Sequence, residues 1–211
     1  MLVINKPMKT TRNILLTLVL LLNSMLSFGQ EQEAEKLAER LLEADSTWGK
    51  ELFQFPISFA QEINFQGAEV ALFPKGWSNE QSPEFWSYAF VWEVDTDKQV
   101  TKTVLESSLQ LYFDGLLSID IWKKSDATIQ NTKALLGEKE ANKSTSRFTG
   151  HLDIFESRYT KKPMTLQVTV EQHYCEQTNK TIILFKFSPK EFEHNAWMKL
   201  DEIELREGLC K

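Results

Sequence analysis

The chain has 211 residues, of which 42% are hydrophobic and 26% charged, with 8 Gly, 6 Pro and a formal charge of −6. Those proportions exclude a collagenous, disordered or low-complexity chain. Two cysteines are too few for a disulfide-framework mini-protein or a four-cysteine zinc site.

The first 29 residues read as a signal peptide. Lys6, Lys9 and Arg12 form a basic start without acids, and the apolar run 14–22 follows. Ser27-Phe28-Gly29 then places small residues before a cut at Gln30. A transmembrane span needs about 20 predominantly apolar residues, and this run is shorter. No cysteine lies near the cut, so a lipid anchor lacks its attachment atom. The ending Ser-Phe-Gly-Gln resembles the signal peptides of Bacteroidota secreted proteins. Cleavage removes three bases and no acid, which takes the formal charge from −6 to −9. An acidic chain without a basic, aromatic-laced patch excludes nucleic acid as a partner and confines membrane contact to export. The expected compartment is the periplasm or the exterior.

Residues 30–211 are expected to form a single domain. Residues 31–47 have a helical stripe of Ala34, Leu37, Ala38, Leu41 and Ala44. Residues 52–74 are extended, broken by Pro56 and Gly67, and lead into a turn at Phe73-Pro74-Lys75-Gly76-Trp77. Residues 84–95 alternate, with Trp86, Tyr88, Phe90, Trp92 and Val94 on one face. Residues 101–118 predict the strongest helix. Thr103 and Glu106 have capping-box spacing, and Val104, Leu105, Leu109, Tyr112, Phe113 and Leu116 make its apolar stripe.

The polar stretch 123–146 is expected to be a surface excursion with one helical turn near Ala134-Leu135-Leu136. Strands over 148–159, 164–175 and 181–187 follow, joined by connections short enough to demand antiparallel hairpins. Residues 190–203 suggest a last helix, with Ile203-Glu204-Leu205-Arg206 also readable as a strand. The fold class is therefore α+β: a single antiparallel sheet with helices packed on a face. The 73–77 turn and the element order resemble the Mog1/PsbP-like folds, and that resemblance carries no function here.

Four features bear on function. The aromatic ladder Trp86, Tyr88, Phe90 and Trp92 suits either a sugar-stacking platform or, by default, core beneath the 101–118 helix. His151, Asp153, Glu171 and His173 share one outward sheet face. Registers with paired numbers summing to 322 or 324 would gather them, offering a metal site, an acid–base pair or a solvated polar face. Cys175 and Cys210, an even pair in an exported chain, are expected to form a disulfide; two separate free thiols, Cys175 a small buried hydrophobe and Cys210 in a frayed terminus, are the alternative. A Cys175 nucleophile is disfavoured because His173, two residues away on a strand, shares its face without pointing at it. His194 is expected on the surface near a helix start.

No G-x-S-x-G, P-loop, G-x-G-x-x-G or H-E-x-x-H occurs in the chain. The reading is an exported, soluble binding or interaction protein, acting on a protein or small-molecule ligand, with no cofactor. A metal-dependent or acid/base hydrolase using the His/Asp/Glu patch is the alternative.

Overall fold

The computed structural model describes residues 29, 31–118 and 131–210. The segment read as a signal peptide, except residue 29, and all of 119–130 lie outside the described residues. Among those described, the chain is α+β and mostly sheet. Residues 31–41 are helical and are termed α1. The remaining elements are β1 (Leu42–Glu43), β2 (Gly49–Gln54), β3 (Gly67–Phe73), β4 (Tyr88–Asp95), α2 (Lys102–Ser118), β5 (Lys133–Ala141), β6 (Thr145–Glu156), β7 (Lys162–Cys175), β8 (Lys180–Ser188), α3 (Asn195–Asp201) and β9 (Glu204–Leu205). One antiparallel sheet has the order β2-β3-β4-β8-β7-β6-β5, and β1 pairs separately with β9.

Alternation along β4 divides the interior in two. Tyr88, Phe90, Trp92 and Val94 share a cluster with Phe185 and Phe187 of β8 and with Leu105, Leu109, Tyr112, Phe113 and Leu117 of α2. Ala89 and Val91, pointing the other way, share a second cluster with Leu72, Leu184, Ala38, Leu41, Trp197, Leu200 and Ile203. Central strands with both faces buried are why 68–73 and 88–94 read as nearly continuous apolar runs.

Several expectations are corrected. The first helix stops at residue 41 because Leu42 and Glu43 pair with Leu205 and Glu204. Helix α2 is capped by Thr101 rather than Thr103: Thr101 Oγ1 accepts from Val104 N at 3.4 Å. Glu106 instead accepts from the Leu136 backbone N–H at 2.8 Å. Val104 is 43% exposed, and Leu117, rather than Leu116, is buried. Residues 133–141 form an edge strand, not a helical turn, with Ala134 and Leu136 facing the core and Leu135 59% exposed.

Candidate functional site

The aromatic ladder is core. Trp86, Tyr88, Phe90 and Trp92 are each no more than 2% exposed, so no ring face is open to a sugar. Phe90 sits at the centre, 4.9 Å from the Tyr112 ring and 4.8 Å from that of Phe185. Trp86 precedes the strand at φ 54°. Within this aromatic mass lies Glu69 of β3, fully buried. Its Oε2 accepts from Trp92 Nε1 at 2.6 Å, and its Oε1 from the Tyr112 hydroxyl at 2.8 Å. Burial pushes its carboxyl up to about 8.

The four polar patch residues share a face but do not converge. Strand β6 pairs with β7 so that His151 faces Gln167, Asp153 faces Thr165 and Arg147 faces Glu171. His173 faces Thr145, six residues from His151, which at ~3.4 Å per residue separates the two imidazole positions by about 20 Å. Asp153 accepts from the Thr165 hydroxyl at 2.7 Å.

The expected registers fail because of Glu156. Its buried carboxylate accepts from the backbone N–H groups of Arg158, Tyr159 and Thr160 and from the Thr160 hydroxyl. That anchors the turn over residues 157–161 and draws Pro163 into β7 opposite Phe155.

Only one end of the patch is assembled. His173 Nε2 lies 3.0 Å from Glu171 Oε1. Arg147 donates to Glu171 Oε1 at 3.0 Å and to Glu140 Oε2 at 3.1 Å. The His173 hydrogen bond, helped by Arg147, holds the Glu171 carboxyl down at about 2. Among the described residues no group of three or more His, Cys, Asp and Glu is placed to hold a metal ion. Beside Arg147 a hollow of about 210 Å³ is floored by Thr149, Thr169 and Leu184 and walled by Lys186. Lys186 Nζ lies 3.6 Å from Asp201, and burial lowers its pKa.

A second concavity, of about 380 Å³, was not foreseen. Three chain-distant segments line it: the β1–β2 connection with Asp45 and Trp48, the β3–β4 connection with Pro74 and Glu84, and α3 with Lys199. Glu84 organises it. One carboxylate oxygen accepts from the Gly76 backbone N–H at 3.2 Å and the other pairs with Lys199. A Cβ on Gly76 would lie 2.0 Å from Ser82 Oγ and 2.7 Å from Glu84 Oε2, so a larger residue there would displace both side chains. The Pro74-Lys75-Gly76 turn was the available signal. Lys199 and Trp48 had none.

His194 caps α3, its Nδ1 accepting from Ala196 N at 3.1 Å. Cys175 and Cys210 are joined by a disulfide with Cα atoms 5.0 Å apart, so Cys175 is not a thiol nucleophile. No described helix is long and apolar enough to cross a membrane. Comparison of the chain with protein-family models, curated proteins and solved structures yields no match.

Proposed function

We propose that the protein is an exported, soluble α+β binding protein, a single domain over 30–211 with helices packed on the sheet's faces. In this reading it takes a small molecule or a protein segment in the cleft between Trp48, Pro74 and Lys199. The observation that carries it is that cleft: its volume of about 380 Å³ falls in the range of ligand sites, and it combines an aromatic edge with a few convergent polar groups. The Cys175–Cys210 disulfide supports an oxidising compartment and therefore export.

The test has two arms. The mass of protein recovered from its native compartment should correspond to a chain starting at Gln30. Tryptophan fluorescence and calorimetry against a panel of soluble sugars, amino acids and short peptides should find a ligand whose binding Lys75→Ala or Lys199→Ala weakens. A hit unaffected by both variants would move the site elsewhere.

The hydrolase reading is favoured only by the 3.0 Å contact of His173 with Glu171. A zinc titration that is flat for the wild type would remove its metal-dependent form.

A further inference from the structure

Glu69 is the one described acid that is fully buried against aromatic rings and whose hydrogen-bond donors, Trp92 Nε1 and the Tyr112 hydroxyl, are both neutral. A carboxylate in such a place lacks both water and a counter-charge, and several kcal/mol oppose its ionisation. Glu156, equally buried, is different because a fan of three backbone N–H groups donates to its carboxyl oxygens.

Around Glu69, the two donated hydrogen bonds favour the carboxylate but do not outweigh its loss of solvent. From β4 come Trp92 and the buried Tyr88, whose hydroxyl has no hydrogen-bond partner. From α2 comes Tyr112. From β2 comes Glu51, whose like charge opposes ionisation further. Arg158, in the β6–β7 hairpin, acts on Tyr88. The contacts of Glu69 join three elements: β3 that bears it, β4 through Trp92 and α2 through Tyr112.

We propose that Glu69 is held in the core as a neutral carboxylic acid and that this uncharged state is a latch on the junction of α2 with β3 and β4: loss of the proton to solvent base, as the surroundings become mildly alkaline, leaves an unsolvated charge there that favours opening. The sign follows from proton linkage. The folded chain keeps this proton up to about pH 8, whereas an unfolded glutamate loses it near its ordinary 4.5. Between those values the folded state binds the extra proton, so raising the pH favours opening. Each pH unit within that window costs the folding equilibrium up to about tenfold through this one group.

The experiment compares urea unfolding of the full mature chain and of Glu69→Gln at intervals from pH 5 to pH 9. Glutamine retains an acceptor for Trp92 and a polar partner for Tyr112 but cannot ionise. The wild-type folding equilibrium constant should fall with pH relative to that of Glu69→Gln, and the protection of α2 amides, corrected for the base-catalysed intrinsic exchange rate, should fall toward pH 9 only in the wild type. Parallel pH profiles would overturn the proposal. Should Glu69→Gln fail to fold, the carboxyl carbon shift of Glu69 in the wild type decides: a midpoint well above the ordinary range supports the latch, and one near the ordinary 4.5 refutes it.

Discussion

Replacing Cys175 and Cys210 together by alanine tests how the C-terminal tail is held. The disulfide joins the last residue of β7 to position 210, 35 residues on. In the chain-entropy model a loop of that length restricts the unfolded chain by about 4 kcal/mol. The tail's other attachments are few. β9 pairs with β1 over two residues, Arg206 N donates to Leu41 O at 3.0 Å, and Ile203 is fully buried. Those contacts bury Ile203 and part of Leu205 and Leu209 in the second cluster, alongside Leu41 of α1. Equilibrium urea unfolding of the double alanine variant should therefore show a loss of about 2–4 kcal/mol. Trypsin should cut the variant at Arg206 while the sheet is still folded, because releasing β9 also frees β1. A loss below about 1 kcal/mol would refute the reasoning, since the tail would then be held by its packing alone. Two titratable thiols in the non-reduced, denatured wild type would refute the bond itself.

Two further substitutions probe local designs. Glu156→Ala removes the acceptor that gathers three turn N–H groups and should cost about 2–3 kcal/mol in urea unfolding, with Glu156→Gln losing less because it keeps one oxygen. Gly115→Ala would bring a Cβ to 1.8 Å from the Phe59 carbonyl oxygen and force α2 away from residues 59–60, lowering the melting temperature. Gly137→Ala is the control: its Cβ would meet only Thr149 O at 3.5 Å, and stability should stay within about 0.5 kcal/mol.

How much was legible follows the range of the interactions involved. α2 was found within one residue of its bounds because a broad apolar stripe is a local pattern. Alternation identified β4, and the short connections identified β6 to β8 as antiparallel. β5 was missed for a physical reason. As an edge strand it turns only Ala134 and Leu136 to the core, while Leu135 between them is exposed and the rest is polar. Three consecutive apolar residues in a charged stretch resemble a helical turn as much as a strand. The end of α1 was missed because its competitor, β9, lies more than 160 residues along the chain.

The polar patch shows where reading by pattern runs out. Alternation fixes which residues of β6 and β7 share a face, and that much of the His151, Asp153, Glu171 and His173 grouping holds in the strand pairing. It does not fix how far one strand slides along the other, since slips of two residues preserve every inward side chain. Glu156 decides the slide by the turn it caps, and nothing adjacent marks that acid as different from the other 29. Glu69 is the same problem in the core. On a strand it reads as one more outward acid, and the segment 52–74 was recognised by its apolar residues, which pass over it. Its partners Trp92 and Tyr112 lie 23 and 43 residues away. A polar residue on a strand covered on both faces must recruit donors from elsewhere, and Glu69 draws its two from β4 and α2.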